Sequence, residues 1–216
     1  MNIKISYQPV YLAPPFAYAS VLDIELQGTN VKASLEIEYT GRDELSEKEL
    51  KEHGFTSNDD YSWQGILHTN WEPDVAAFES FSFRNTPDED IYLHVAIDGV
   101  DLGFPKDIQH ANMLFQELVQ AILESDQLES PLSMQLKLKS MDVELKWNFA
   151  EREFYIDNEM RKNWNTGREV LNKVYSIDFE RVNALKKPKA PCFGTSTGEW
   201  FPIENNTHNQ LLKILT

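Results

Sequence analysis

Five histidines, one cysteine and an excess of carboxylates are the side chains of this chain that could do chemistry, and their spacing decides which. His53, His68, His94, His110 and His208 form no H-x-H or H-x-x-x-H pair, the spacings that set two imidazoles on one side of a strand or helix for a metal ion. His68 and His94 fall on separate expected strands. Side by side, and joined by Glu79 or Asp98, they would make the mixed nitrogen–oxygen site of a metal-dependent hydrolase. Histidines so placed are more often surface or hydrogen-bonded structural residues, so neither a metal nor another cofactor is expected. Glycosidase-type chemistry needs two carboxyls about 5–10 Å apart in a cleft, one with a raised pKa. Glu36 and Glu38 have a suitable spacing, but nothing around them suggests burial, and they read as a solvated strand face.

Cys192 lies in Pro191-Cys192-Phe193-Gly194-Thr195-Ser196-Thr197-Gly198-Glu199-Trp200. A glycine-flanked Thr/Ser run can offer backbone N–H groups to an anion, and a thiolate beside it would be a nucleophile. The order matches neither a phosphate-binding loop, which ends in Gly-Lys-Ser/Thr, nor a cysteine-phosphatase loop, which requires an Arg after its Cys. It reads as a surface loop with an inert thiol. Of Trp63, Trp71, Trp147, Trp164 and Trp200, Trp147 fits a strand core. Trp164, flanked by Arg161 and Arg168, and Trp200 sit in polar stretches. Tryptophan and arginine are enriched at interaction hot spots, so these four residues are the candidate binding anchors.

Positioning these groups falls to one long helix and the strands around it. Ile108, Ala111, Phe115, Leu118 and Ile122 recur at steps of three and four within Lys106–Ser125, the spacing of an apolar helix face that must cover a sheet. Pro105 suits the first helical position, and Asp107 faces the positive end of the dipole. Residues 2–7 alternate as a strand, and Pro9, Pro14 and Pro15 then impose an irregular connection. Tyr18–Leu26 and Val31–Tyr39 form a hairpin through Gly28-Thr29-Asn30, one face apolar and the other carrying Asp23, Glu25, Glu36 and Glu38. Ser46–Glu49 is a capping box that opens a short helix ending near His53, with Gly54 as its stop. Strands are expected at 61–71, 79–83 and 91–97, with a helical turn from Glu72. A meander follows at Met134–Leu138, Val143–Phe149 and Phe154–Asp157. Capping boxes at Thr166–Glu169 and Thr207–Gln210 open two more helices, the first with Val170, Leu171, Val174 and Tyr175 inward. Residues 186–206 read as loop.

The 216 residues suit a single α+β domain, with a possible sub-division near 104–130. A hydrophobic share of 41% with 12 Phe, 8 Tyr and 5 Trp opposes disorder. No apolar run approaches the roughly 20 residues that span a bilayer, and the N-terminus lacks the apolar block of a signal peptide. One cysteine rules out an internal disulfide and points to the cytoplasm. The net charge is −15, and residues 1–104, with 6 Lys and Arg against 19 Asp and Glu, hold −13 of it. Such a field disfavours nucleic acid and anionic membranes, whose recognition requires clustered Lys and Arg, and favours a basic partner.

The expected fold is α+β: antiparallel sheet, in one piece or two, packed against one long central helix with two or three short ones. The expected function is a non-enzymatic, acidic, cytoplasmic interaction module for a basic protein. The alternative is a small-molecule-binding protein or enzyme with a pocket between helix 106–125 and the sheet, lined by Tyr92 and His94. The third reading is the hydrolase built on His68 and His94.

Overall fold

Alternation of apolar residues along the first forty positions builds the core of a large antiparallel sheet. Ile3, Ile5, Leu22, Ile24, Val31 and Leu35 all turn to one side and are buried. The computed structural model describes residues 1–175, 177, 184–185, 187–195 and 198–216. They divide into two compact units, Met1–Leu128 and Glu129–Thr216. The fold is α+β with antiparallel sheets, and no helix among the described residues is long and apolar enough to cross a membrane.

The N-terminal unit runs β1 (Asn2–Pro9), β2 (Tyr18–Gln27), β3 (Asn30–Tyr39), α1 (Glu47–Glu52), β4 (Tyr61–Leu67), α2 (Glu72–Ala76), β5 (Phe83–Arg84), β6 (Ile91–Ile97), β7 (Val100–Pro105) and α3 (Ile108–Ser125). The seven strands lie in the order β4-β3-β2-β1-β6-β7-β5. Helix α3 covers the apolar face: Ala111, Leu114, Phe115, Leu118, Ala121 and Ile122 are buried, and Phe115 stacks on Tyr7 of β1 with ring centroids 4.5 Å apart. Each large side chain buried this way contributes about 1.5–3 kcal/mol. Helix α1 has both halves of its capping box, between Ser46 and Glu49, and ends at His53.

Two local expectations are corrected in this unit, and one strand is new. Pro105 closes β7, paired with Phe83, and Asp107 is the cap of α3, its side chain accepting from the His110 N–H at 3.1 Å, so the helix begins at Ile108. Asp98 and Gly99, both with positive φ (50° and 77°), turn a tight hairpin from β6 into β7, a strand that periodicity does not reveal. Residues 79–83 do not form one strand. A single turn over Ala77–Ser80 carries Phe78 into the core, and only Phe83 and Arg84 reach the sheet.

The C-terminal unit consists of β8 (Leu132–Leu138), β9 (Met141–Asn148), β10 (Glu153–Ile156), β11 (Met160–Lys162), α4 (Trp164–Val174), β12 (Cys192–Gly194), β13 (Trp200–Pro202) and α5 (Asn205–Leu215). Its six strands lie in the order β11-β10-β9-β8-β12-β13. Helix α4 lies close on this sheet because residue 167 is glycine: a Cβ there would stand 2.8 Å from Trp147 Nε1 and 2.9 Å from Phe154 Cγ. Both helices start earlier than their Thr-x-x-Glu/Gln signatures suggest. Asn163 caps α4, accepting from the Asn165 N–H at 2.8 Å, and Glu204 precedes α5 with no side-chain cap. Tyr175 is exposed rather than inward, since the helix ends at Val174. The stretch expected to be loop holds β12 and β13, where Phe193 and Phe201 pair across the strands and are buried.

Candidate functional site

Tyr92 and His94 of the N-terminal unit fall on the sheet's open face, opposite α3. Strand register sets Tyr92 beside Gln8, His94 beside Ser6 and Ala96 beside Lys4, all alternating with the buried row. His94 Nε2 lies 2.8 Å from Asp101 Oδ1, and its ring packs edge-on against Phe104, as does that of Tyr92. An open groove of about 660 Å³ runs across the same face, lined by Lys4, Asp23, Glu25, Lys32, Gln64 and Ile66 among others. Between α3 and the sheet, side chains occupy the space: Leu93, Val95, Leu118 and Ile122 are all fully buried there. His68 follows β4, and three strands separate β4 from β6 and His94. The His68 ring instead accepts from the Asn70 N–H through Nδ1 at 3.2 Å. Among the described residues no three His, Cys, Asp or Glu side chains cluster closely enough to hold a metal ion.

The C-terminal candidates do not form one surface. Trp164 is only 3% exposed and meets Phe149 edge-on, its centroid 5.1 Å away. Arg161, on β11, pairs with Glu153 of β10 at 3.0 Å, and Arg168 donates to Asn165 at 3.4 Å. Trp200, on β13, lays its ring over Gly194, where a Cβ would stand 2.9 Å from the ring, and Lys137 Nζ sits 5.4 Å from its centroid. Cys192 is buried in β12, and that burial pushes its thiol above the usual range, so it is held as a thiol and not as a nucleophilic thiolate. Ser196 and Thr197 of the Thr/Ser run lie outside the described residues. Glu36 and Glu38 are exposed on β3.

Charge separates the units more sharply than the sequence halves did. Met1–Leu128 holds 7 Lys and Arg against 23 Asp and Glu, a net of −16, and Glu129–Thr216 holds 13 against 12, a net of +1. Six of the seven N-terminal cations already have a carboxylate partner: Lys4–Asp23, Lys32–Glu25, Arg42–Asp59, Lys48–Glu52, Lys51–Glu47 and Arg84–Asp88. Of the other carboxylates Asp74, Glu117 and Glu124 are buried, and most of the rest, Glu36, Glu38, Asp43, Glu44 and Glu89 among them, are exposed.

A second feature, not evident from periodicity, is the connection between β1 and β2. Val10, Tyr11, Leu12 and Phe16 are 48%, 75%, 44% and 47% exposed. Beneath them Arg42 is buried between the rings of Tyr39 and Phe55, 3.7 and 4.4 Å from their centroids. Its Nε donates to Pro15 O at 3.0 Å, and its Nη1 donates to Thr56 O at 3.0 Å and to Asp59 at 2.6 Å; Nη2 has no hydrogen-bond partner. Hydrogen bonds from the Thr56 hydroxyl and backbone, and then Arg42, hold the Asp59 carboxyl below its ordinary pKa. The available signal was apolar residues between prolines with no helical or strand period. Fold and surface together define an acidic α+β protein with a local apolar patch. No family model matches the chain, and no curated protein or solved structure resembles it at a significant level.

Proposed function

We propose that the chain is a non-enzymatic, cytoplasmic interaction module whose N-terminal unit receives a basic protein partner. The observation that carries this reading is the net of −16 on Met1–Leu128, with six of its seven cations already engaged internally. A surface of one sign costs the compact state self-repulsion, and in return steers and selects partners of the opposite sign. It disfavours nucleic acid and anionic membrane for the same reason. The single cysteine supports a reducing compartment.

The test is titration of the full chain with a lysine-rich peptide at low and high salt. Affinity is expected to fall at least about tenfold between about 50 and 500 mM salt, because screening shortens the reach of exposed charges. Neutralising Glu36→Gln with Glu38→Gln should weaken binding, and Glu199→Gln with Glu204→Gln in the C-terminal unit should not. Binding indifferent to salt, or to which unit is neutralised, counts against the reading.

A further inference from the structure

Four of the ten exposed large apolar side chains among the described residues lie within the seven positions of Val10–Phe16, although exposed apolar residues on a monomer are ordinarily scattered. The segment is pinned at both ends, at Val10 and from Ala13 onward. Val10 donates its N–H to Asp90 O at 3.2 Å, and the Phe16 and Ala17 N–H groups return to Ala13 O at 3.0 and 3.2 Å. Pro15 O is held by Arg42. Pro14 leans on Gly41, where a Cβ would come within 2.6 Å of its ring. The Phe16 ring meets Phe55 and His53 edge-on, with centroids 5.4 and 5.6 Å away. A patch fixed this way has its ordering cost met before any partner arrives, which is what an interaction anchor needs.

The rim is acidic. Asp90, whose backbone carbonyl accepts from the Val10 N–H, follows Asp88 and Glu89; Asp43 and Glu44 follow the Gly41 and Arg42 that support the loop; and Asp60 accepts from the N–H of Tyr39, whose ring lies on Arg42. The two arginines nearby, Arg42 and Arg84, are bound to Asp59 and Asp88 and offer no charge to a ligand. An apolar centre inside an acidic rim is complementary to a chain segment that carries an apolar side chain between lysines or arginines. A second copy would bring the same negative rim against itself, and an anionic membrane would be repelled.

We propose that the loop Val10–Phe16 is the docking site for such a segment of the partner, its apolar residue seated on Tyr11, Leu12 and Phe16 and its flanking cations on the acidic rim. This rests on the basic-partner reading above and names the place where the partner is anchored.

Two synthetic peptides test it against the full chain: one alternating Lys and Gly, and a twin with two central glycines replaced by Leu. The Leu peptide should bind at least about tenfold more tightly, the scale of one buried anchor. Tyr11→Ser with Leu12→Ser should abolish that preference and leave the Gly peptide's affinity, the circular dichroism and the unfolding midpoint unchanged. Val100→Ser with Tyr175→Ser, exposed apolar residues elsewhere, should keep the preference. Equal binding of the twins, or a preference that survives in the Tyr11/Leu12 variant, overturns the docking site and leaves the basic-partner reading standing. Failure of both peptides to bind at low salt overturns that reading itself. Dimerisation, or binding to phosphatidylcholine vesicles, that disappears in the Tyr11/Leu12 variant gives the loop another occupant and overturns the assignment.

Discussion

Met1–Leu128 and Glu129–Thr216 solve the same folding problem, an antiparallel sheet whose apolar face is covered by helix, with opposite surfaces. In the C-terminal unit cations and carboxylates are nearly equal, 13 against 12, and of the exposed large apolar residues among the described ones Met160 and Tyr175 lie there. In the N-terminal unit carboxylates outnumber cations 23 to 7, and the other eight exposed apolar residues are found there, half of them in one loop. Mixed charge without patches is the surface a protein needs for solubility. Net charge of one sign around an apolar patch goes beyond that need, and among the described residues it is found in one unit. The proposed function rests on this departure of Met1–Leu128 from the other unit, since no motif points to it.

The largest effect that would sharpen this contrast concerns Arg42. Removing it leaves the Pro15 and Thr56 carbonyls without donors and takes the guanidinium from between Tyr39 and Phe55. Arg42→Ala should cost about 3 kcal/mol, summed over lost hydrogen bonds and ring contacts, read from the midpoint of urea unfolding. Arg42→Lys should not restore it, because an ammonium lacks the flat fork that stacks and donates at once. A loss under about 0.5 kcal/mol, the range of ordinary surface changes, would show that the loop is not braced from below.

In the C-terminal unit the counterpart is Gly167, where sign and not size is decisive. Ala in a helix interior ordinarily gains about 0.5–1 kcal/mol over Gly. Here the added methyl meets the buried rings of Trp147 and Phe154 at 2.8–2.9 Å. Gly167→Ala should destabilise by about 2 kcal/mol through overpacking. A stabilised variant would mean that α4 can move off the sheet.

Alkaline titration separates the units again. Burial, and then neighbouring Tyr18, push the Tyr7 hydroxyl from 10.0 up to about 12, and burial likewise raises Tyr18. In the C-terminal unit the raised tyrosine is Tyr155, chiefly through its hydrogen bond to Glu153 rather than burial. A folded-state value above the unfolded one favours the neutral form on folding. Its contribution is complete below pH 10 and is lost as pH rises towards about 12. Stability followed by near-ultraviolet circular dichroism should fall over that window, and Tyr7→Phe should flatten the fall. An unchanged slope would place the alkaline weakness outside the N-terminal core.

Much of this was legible where a period was long enough to carry information. The hairpin of β2 and β3, strand β6, the meander of β8 to β10 and helix α3 all follow from residues alternating by two or recurring by three and four. Strand β7 was hidden because Asp101 and Gly103 break its alternation at a bulge, and β12 and β13 because three residues are too few to show one. The Val10–Phe16 patch was hidden for a different reason. Apolar residues in an irregular segment can turn in or out, and the groups that hold this one, Arg42 on the Pro15 carbonyl and Asp90 on the Val10 N–H, are distant in sequence. Trp164 shows the converse: a polar neighbourhood suggested a surface anchor, but the first turn of α4 carries the ring inward.

The start of α4 provides the smallest test, and it sets a sequence signature against observed geometry. Thr166-Gly167-Arg168-Glu169 has the form of a capping box, which would make Thr166 the cap and leave Asn163 outside the helix. In the fold Asn163 has extended backbone, φ −60° and ψ 138°, and its side chain accepts from Asn165 N–H, while the Thr166 N–H already donates to Asn163 O. A cap residue must stand outside the helical backbone and face a free N–H, and only Asn163 does both. Asn163→Ala should therefore cost about 1 kcal/mol and Thr166→Ala no more than about 0.5 kcal/mol, compared by thermal unfolding at one pH. The reverse order would start α4 at Gly167, release Trp164 from the helix, and return that ring to the surface as an anchor in the C-terminal unit. The contrast between the two units would then lose one of its supports.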